Sequence, residues 1–395
     1  MTEENKIVKN FPNSGDLGTP KLRFTEFGIE KWETKRLGEI ATFTKGKGIS
    51  KSDIYENGET ECIRYGELYT FYEEVISEIK SKTNTDISSL VLSEANDVII
   101  PASGETQIDI ATASCVLKSG VALGGDLNVI KTKNNGVFLS YYLNSKKKLE
   151  IAKLSQGVSV VHLYSSQLAL LNLKLPQLEE QNKLANFLSL LNSRIQTQKK
   201  IIEQLETLMK VSRVNIFSQK LRFKDEHGNY FPSWERKKIK EILTIGSGKD
   251  YKHLNDGAIP VYGTGGIITF VDSFLYNGET VCIGRKGTID KPLYYNGKIW
   301  TVDTLFYTHS FNNSVPKFVF NIFQNINWKE YNEASGVPSL SKSTIEKIEI
   351  SIPCLEEQYK IANFFSSIQQ KIDIEKQILE QLELQKKFLL ANLFV

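Results

Sequence analysis

The chain has 395 residues, 41% of them hydrophobic, and a net charge of +3, which predicts two or three domains with cores of ordinary size. No apolar run reaches the ~18 residues that a membrane span needs, and MTEENKIVKN at the start lacks a hydrophobic signal segment, so we expect a soluble, cytoplasmic protein. Four cysteines without a CxxC pair (Cys62, Cys115, Cys282 and Cys354) argue against a disulfide framework and predict reduced, mostly buried thiols.

The first part of the chain alternates framing motifs with glycine-rich loops. KLRF (21–24) is followed by WETKRLGEI from Trp32, which predicts a short helix running into a strand. The loops TKGKGISK (44–51) and VIIPASGETQID (98–109) come next. Glycine lets backbone amides approach phosphate, and neighbouring lysine or hydroxyl groups can contact phosphates or base edges. The candidate contacts in this part are Lys45, Lys47, Lys51 and Ser103.

A strand and a long helix close this part. LNLKL (171–175) alternates polar and apolar residues and stops at Pro176, as a half-buried strand does. The helix then starts at LEEQNKLANF (178–187), where its acidic pair suits the positive end of the helix dipole. Heptad spacing predicts a helix-pairing seam with one polar layer, formed by Leu184, Leu188, Leu191, Ile195 and Gln198.

The same frame returns in the second half. KLRF recurs at 220–223, WERKKIKEI starts at Trp234, IEISI occupies 348–352, and LEEQYKIANF follows at 355–364. Its seam is formed by Ile361, Phe365, Ile368, Ile372 and Glu375. Two separate amphipathic helices, each lying on its own domain, would also fit these patterns. The matching seams, with a polar layer at the same place, favour pairing of the two helices with each other.

Glycine-rich loops recur in the same order between the repeated motifs. They are GSGKDYKH (246–253), IPVYGTGGIITF (259–270) and VCIGRKGTID (281–290), so we expect both middles to share one mixed α/β fold. The candidate contacts here are Lys249, Lys252, Tyr262, Thr264, Arg285 and Lys286. Any one of these loops could instead be a solvated turn. PASGET stands opposite IGRKGT, so the Arg-Lys pair has no counterpart in the first middle.

Catalytic motifs are missing from the sequence. There is no GxxxxGK[ST], no GxGxxG and no NPP[FY], and the four histidines show no metal-ligand spacing. The motifs therefore predict no cofactor, no metal and no enzyme activity in this chain.

Two variable middles, each entered near a tryptophan and closed by strand, proline, L-x-EQ and a seam helix, resemble the specificity subunit of a Type I restriction-modification enzyme. That resemblance implies an α+β fold with two mixed α/β target-recognition domains, joined and separated by two long helices that pair as an antiparallel coiled coil with pseudo-twofold symmetry. The implied division is an N-terminal arm (1–20), recognition domain 1 (21–177), a central spacer helix (178–219), recognition domain 2 (220–354) and a C-terminal spacer helix (355–395).

The resemblance also implies function and partners. The chain would read a bipartite, asymmetric target in double-stranded DNA and dock two methyltransferase subunits and two restriction-translocase subunits. Adenine methylation and ATP-driven cleavage would belong to those partners. Residues 184–209 as a helix span ~39 Å, close to the ~34–36 Å between major-groove half-sites. The alternative is a coiled-coil scaffold that binds other proteins.

The repeat also predicts how the chain ends meet. The second helix ends where a third KLRF would begin, so we expect residues 21–24 to pack near 390–395, as 220–223 follow the first helix.

Overall fold

The computed structural model describes residues 7–9, 18–28, 30–157 and 160–395. The chain divides into two compact units: the first comprises residues 1–198 and 378–395, and the second comprises 199–377. The expected N-terminal arm lies mostly outside the described residues, although Ile7–Lys9 form a strand antiparallel to Leu22–Phe24.

The helices are α1 (Leu37–Ile40), α2 (Gln107–Ile110), α3 (Gly136–Tyr142), α4 (Lys148–Leu154), α5 (Ser165–Leu168), α6 (Leu178–Phe217), α7 (Ile239–Ile242), α8 (Pro316–Phe323), α9 (Lys342–Lys347) and α10 (Leu355–Asn392). The strands of the first unit are β1 (Ile7–Lys9), β2 (Leu22–Phe24), β3 (Glu33–Arg36), β4 (Ala41–Lys45), β5 (Thr60–Ile63), β6 (Val75–Ile76), β7 (Ser81–Thr83), β8 (Val91–Leu92), β9 (Asp97–Pro101), β10 (Ser103–Gly104), β11 (Ser114–Val116), β12 (Ala122–Leu123), β13 (Leu127–Thr132), β14 (Val161–His162) and β15 (Asn172–Leu175). Those of the second unit are β16 (Glu235–Lys238), β17 (Thr244–Ser247), β18 (Asp256–Gly263), β19 (Gly266–Val271), β20 (Tyr276–Gly284), β21 (Leu293–Thr301), β22 (Leu305–His309) and β23 (Glu349–Ile352).

The two units share the pairing of their central sheets. The order β4-β13-β9-β11 in the first unit matches β17-β22-β20-β21 in the second, and every pair is antiparallel. The register agrees as well, since Lys45 pairs with Asn128 as Ser247 pairs with Phe306. The expectation that both middles share one mixed α/β fold is therefore confirmed.

The repeated LEEQ and KLRF motifs meet in an ion pair in each unit, and the glutamate of each pair is buried. Arg23 lies against Glu180 with Nη2 to Oε2 at 2.7 Å and Nε to Oε1 at 2.8 Å, and both side chains are buried. Arg222 pairs with Glu357 in the same way, at 2.7 Å. The motifs recur because each unit needs this charge pair to join a helix start to the segment beside it.

The glutamine of LEEQ links each long helix to its domain by hydrogen bonds. Gln181 donates to the carbonyl of Pro176 (2.9 Å) and accepts from the amide of Asn135, just before α3 (3.1 Å). Gln358 donates to the carbonyl of Pro353 at 2.9 Å and accepts from the amide that precedes α8. Both glutamines are buried, so these bonds satisfy backbone groups that water cannot reach.

The two long helices run antiparallel. In the first unit, Leu184 and Leu188 near the start of α6 share a core with Leu389 and Leu393 at the end of α10. In the second unit the late part of α6 meets the early part of α10, where Lys376 pairs with Glu206 at 2.6 Å. Each helix also packs on its own domain. The two arrangements that the sequence allows, pairing of the helices with each other and packing of each helix on its domain, therefore occur together.

Most of the predicted seam is buried. Exposed fractions of 8% or less occur at Leu184, Leu188, Ile195, Gln198, Ile361, Phe365, Ile372 and Glu375, whereas Leu191 and Ile368 are half-buried. Glu375 also pairs with Lys371 at 2.5 Å. The assignment of these particular residues to helix pairing stays a prediction.

The cysteines behave as expected from their spacing. Cys62, Cys115 and Cys282 are buried free thiols, and Cys354 is exposed. Burial raises the pKa of Cys62 to about 11 and the pKa values of Cys115 and Cys282 to about 12. The prediction that most of the thiols are buried is confirmed.

Candidate nucleic-acid interface

In the second unit, the predicted contact loops are joined through one segment, 301–304. The amide of Lys249 donates to this segment at 2.9 Å, and the amide of Arg285 does so at 2.8 Å. The segment in turn donates to the carbonyl of Tyr262 at 3.0 Å. Three loops that are distant in sequence therefore lie side by side.

Thr264 lies next to the turn that carries Arg285 and Lys286. Its hydroxyl is 3.5 Å from the position that a Cβ on Gly287 would occupy, and Gly287 has a φ of +84°. Lys252 is exposed further along the loop that begins at Lys249. The structure thus gathers Thr264 with the basic turn and leaves Lys252 at the margin.

A polar cleft of about 320 Å³ opens beside the basic turn. Arg285, Lys286 and Lys342 contribute three cations to it, and all three side chains are exposed. Ser341 adds a hydroxyl and Glu333 a carboxylate. Arginine and lysine bind phosphate or the guanine edge, and a carboxylate accepts from the amino group of cytosine, so the cleft has the side chains needed to read DNA.

Glu333 is held as an acceptor by its neighbours. The hydroxyls of Thr344 and Ser341 donate to it and lower the pKa of its carboxyl below the usual range. An ionised carboxylate can only accept hydrogen bonds and repels phosphate. Glu333 therefore favours a base edge rather than the backbone as its neighbour.

The guanidinium of Arg285 is held over an aromatic ring. It lies 5.9 Å from the ring centre of Phe306, and its Nη1 reaches the carbonyl of Asp303 at 3.4 Å. These contacts limit the conformations of a long side chain in solvent. A restricted guanidinium loses less entropy when it binds a ligand.

The first unit repeats the same backbone network with different side chains. The amide of Lys47 donates to segment 123–126 at 2.9 Å, and that segment donates to the carbonyl of Ile63 at 2.9 Å. The amide of Ala102 also donates to it, at 2.7 Å. By these bonds Lys47 corresponds to Lys249, and Ala102 corresponds to Arg285.

Ser103 is placed where the second unit has Lys286. It is 6% exposed and belongs to β10, which pairs with β14 at His162. Strand pairing buries its hydroxyl, so a direct contact with DNA is disfavoured at this position. The basic turn of the second unit has no equivalent here, as the sequence comparison of PASGET with IGRKGT indicated.

A different set of side chains lines the cleft of the first unit. This cleft has about 590 Å³ and includes Lys51, Arg64, Tyr65 and Asp126. Arg64 pairs with the buried Glu67 at 3.2 Å, while its Nε is buried and has no hydrogen-bond partner in the described part of the chain. Lys51 is exposed on this cleft.

Arg64 and Tyr65 were missed by sequence reasoning. They come directly after Ile63 as Gly263 and Thr264 come directly after Tyr262, and these positions correspond because Ile63 pairs with Leu123 as Tyr262 pairs with Thr301. The signal was present as a strand followed by Arg-Tyr-Gly, which mirrors the Val-Tyr-Gly of the second half. Lys45 is exposed at the end of β4, paired with Asn128.

Neither metal chemistry nor a membrane is indicated by the described residues. They bring no three His, Cys, Asp or Glu side chains into an arrangement that could hold a metal ion. No helix among them combines the length and apolar character that a membrane crossing requires.

Two α/β units of one fold, each with a cleft that carries basic side chains on equivalent loops, fit a protein that binds DNA. The chain belongs to the Type I restriction modification DNA specificity domain family, whose model matches residues 29–207 and 232–384. It is thus a specificity subunit of a Type I restriction-modification system, the non-catalytic component that recognises DNA.

Curated relatives and solved structures agree with that assignment. The Type I restriction enzyme MjaVIII specificity subunit of Methanocaldococcus jannaschii is 25% identical over 407 residues, covering 91% of each chain. The putative MjaX specificity subunit of the same organism is 26% identical over 289 residues, covering 65% of this chain and 67% of the relative. The Type I system S subunit from M. genitalium has the same fold, with a TM-score of 0.67, 20% identity and coverage of 95% of this chain and 99% of that one.

A further solved chain, from a study of complex assembly in the type I R-M system, matches with a TM-score of 0.53 at 16% identity, covering 92% of this chain and 97% of its own. The fold prediction of two α/β domains with two long helices is confirmed by these likenesses.

Proposed function

We propose that the two recognition domains, 21–177 and 220–354, each read one half of a split, asymmetric DNA target. One observation carries this proposal: the two clefts lie on equivalent loops but present different side chains. Arg285 and Lys286 stand in the second unit where Ala102 and Ser103 stand in the first. Different readers on one frame recognise different sequences, so the target has two unlike halves.

In the second domain, Lys249, Lys252 and Lys286 bind phosphates, while Arg285, Tyr262 and Thr264 lie where they can approach base edges. In the first domain, Lys45, Lys47 and Lys51 bind phosphates, and Arg64 with Tyr65 takes the place of Ser103 as reader. Flexible exposed lysines suit phosphate as point charges, whereas a restricted arginine suits the two acceptors of guanine. Neither domain needs a cofactor for this task.

The partners in this proposal are two methyltransferase subunits and two restriction-translocase subunits, one of each for every repeated frame. Adenine methylation and ATP-driven cleavage lie on those subunits. The duplicated α6 and α10 frames support a paired stoichiometry, because two similar surfaces accept two copies of one partner. A cytoplasmic location is part of the proposal, since the DNA and the partners are found there.

A filter-binding titration tests whether the loops contact DNA. With mixed-sequence duplex, each phosphate contact contributes about 0.9 to the log-log salt slope. Arg285→Gln and Lys286→Gln should each weaken binding, and Lys286→Gln should lower the slope by about 1. Arg236→Gln, an exposed position on β16 outside the cleft, is the matched control and should change neither.

The rival function is a coiled-coil scaffold that binds only proteins. It shares the long helices but gives no salt-dependent DNA binding. Unchanged affinity and slope in both loop variants would support solvated turns. If the wild-type protein bound no DNA, either with or without the methyltransferase subunit, the scaffold function would be supported.

A further inference from the structure

In the first unit, a groove between α3, the first half of α6 and the last turns of α10 is filled by the chain itself. We call it the filled groove. Ser140 of α3 donates to the carbonyl of Glu74 at 2.7 Å, and Gln196 of α6 donates to the Glu73 carboxylate at 2.8 Å. Lys386 of α10 donates to the Glu74 carboxylate at 3.0 Å. An acidic segment is therefore bound by all three helices.

The same segment extends the sheet. The amide of Cys115 in β11 donates to the carbonyl of Glu74 at 2.9 Å, and Val75–Ile76 pair in parallel with Cys115–Val116. The acidic segment thus binds both by its carboxylates and by strand addition. Strand addition is a common way for an extended peptide to bind a sheet edge.

The second unit has a counterpart of this groove. Helix α8 corresponds to α3, because the residue before each helix donates its amide to the equivalent glutamine of a long helix: Asn135 to Gln181 and Val315 to Gln358. The long helices correspond through the repeat, which relates Glu179 to Glu356. Equivalent positions can therefore be compared one by one.

The counterparts of Ser140, Gln196 and Lys386 are Phe320, Asp373 and Met209. All three line a mostly apolar groove of about 300 Å³, which we call the open groove. The positions that hold the acidic segment in the first unit surround empty space in the second. The stretch that contains the acidic segment is shorter in the second unit. Ile63 and Val98 are 35 positions apart, whereas the equivalent Tyr262 and Val281 are 19 apart, so this stretch has no counterpart of the segment.

The open groove also carries unsatisfied positive charge. Arg213 lies in it with its guanidinium 5.5 Å from the ring of Phe365, and its Nε is buried without a hydrogen-bond partner among the described residues. Lys317 lies over the ring of Tyr294 in the same groove. The one carboxylate of the lining, on Asp373, accepts from Gln369 at 2.8 Å. A buried, unpaired donor of an arginine favours a carboxylate.

The neighbouring sheet edge is open as well. Tyr294 in β21 is the counterpart of Cys115, since it pairs with Val281 as Cys115 pairs with Val98. Within the described residues, the ladder between β21 and β18 is confined to the last two residues of β21. The edge at Tyr294 therefore has room for the strand that β6 provides in the first unit.

We propose that an extended acidic segment of a partner protein occupies the open groove, adds a short strand beside Tyr294 and sets a carboxylate against Arg213. The first unit carries its own copy of this interaction in Glu73–Val75. This site is separate from the DNA clefts, so it stands or falls independently of the proposed DNA contacts.

The chain's own segment is the probe. A fluorescein-labelled peptide FYEEVISE (residues 71–78) is titrated with the full-length protein by fluorescence anisotropy, beside the peptide FYQQVISE, which lacks the carboxylates of Glu73 and Glu74. We expect saturable binding of the acidic peptide within about 1 mM. Arg213→Gln should weaken it about tenfold or more, because a charge-assisted hydrogen bond is lost. Arg236→Gln, exposed in the same unit, should leave the affinity within about twofold.

A second variant guards against loss of folding. Gln324→Trp places a bulky side chain at the exposed rim of the groove and should block the peptide, while circular dichroism and DNA affinity stay at wild-type values. Equal binding of both peptides, no binding within that range, or binding indifferent to Arg213→Gln and Gln324→Trp would overturn the proposal. If the chain forms dimers and Arg213→Gln dissociates them, the occupant of the open groove is a second copy of the chain and not a partner protein.

Discussion

Two equivalent ion pairs, each with a buried glutamate, explain why KLRF and LEEQ are repeated. Arg23 and Glu180 are 157 positions apart and almost fully buried, and Arg222 with Glu357 repeats the pair. Each arginine also donates to backbone carbonyls, those of Glu30 in the first unit (2.6 Å) and of Pro232 in the second (2.9 Å). The motifs are therefore structural, and the DNA-reading residues lie elsewhere.

Breaking one pair should be costly in a specific way. Arg23→Met leaves Glu180 buried and unpaired, which should lower the free energy of unfolding of the first unit by about 3–5 kcal/mol. Arg23→Met combined with Glu180→Met should recover most of that loss, because an apolar pair needs no partner. Urea denaturation followed by fluorescence measures both.

Lys35→Gln is the control for that experiment. Its pair with Glu33 is solvent-exposed, so the variant should unfold at nearly the same urea concentration as the wild type. Similar losses for Lys35→Gln and Arg23→Met would contradict the assigned role of the buried pair.

At the residue scale, the predicted DNA contacts of the loop cations stay predictions, and the sequence does not reveal which strand packs beside each loop. Arg285 and Lys286 are exposed on a cleft as their loop suggested. Ser103 was chosen by its place in a glycine loop, but strand pairing with β14 buries it. Side-chain burial depends on which distant strand arrives, and one sequence does not contain that information.

A glycine in the first loop of each unit lets that loop approach another segment of the same chain closely. A Cβ on Gly248 would lie 2.0 Å from the carbonyl oxygen of Val302, and one on Gly46 would lie 2.0 Å from that of Gly124. The loop and the facing segment touch through backbone, so a side chain has no space. These two glycines hold the clefts in shape.

Gly248→Ala should therefore displace segment 301–304 and weaken DNA binding about tenfold or more, since the loops that it joins would shift. Gly265→Ala is the matched control in a neighbouring loop, because nothing lies within 4 Å of its Cβ position. Mobility-shift titration of both proteins measures the effect. Equal affinities would show that the contact does not organise the cleft.

At the element scale, prediction from the sequence was right about the order of the loops and less accurate about which residues of the two units are equivalent. The offset of 177 residues that relates the two LEEQ motifs would pair Asp126 with Asp303, but the hydrogen bonds make Thr304 the counterpart of Asp126. The shared Tyr-Gly of the two halves aligns Tyr65 with Tyr262, whereas strand pairing aligns Ile63 with Tyr262. Insertions inside the loops shift local matches, and only the sheet register reveals the shift.

At the scale of the whole molecule, the end of the chain completes the first unit. Leu393 and Phe394 belong to the same core as Leu22 and Phe24, as expected from the repeat. Phe394 packs on Phe138 at 5.5 Å between ring centres, and its counterpart Phe217 packs on Phe318 at 5.8 Å. The last turn of α10 thus serves the first unit as the last turn of α6 serves the second.

Phe394→Ala should destabilise the first unit by about 3–5 kcal/mol, the usual loss for a buried phenylalanine. Phe388→Ala on the same helix is 52% exposed and should cost less than about 0.5 kcal/mol. Hydrogen exchange resolved by peptide would locate the loss: faster exchange in α3 and β13 is expected for Phe394→Ala. Unchanged exchange in α3 and β13 would contradict the assignment of the chain end to the core of the first unit.

The sequence compared with itself was enough to predict the two-domain plan, because the framing motifs recur in the same order in both halves. It could not predict which side chains line each cleft, since the shared Tyr-Gly match places Arg64 opposite Val261, and Glu333 reaches its cleft from a segment with no matching motif. Nor could it predict the open groove, whose meaning depends on what fills the equivalent place in the other unit.

The most direct test of the two-reader account is binding-site selection from randomised DNA duplexes by the full chain with its methyltransferase subunit. The account predicts an enriched target of two short, unlike blocks separated by a gap of fixed length. It also predicts that Arg285→Ala relaxes one block and leaves the other intact. A single contiguous motif, no enrichment, or equal relaxation of both blocks would contradict it.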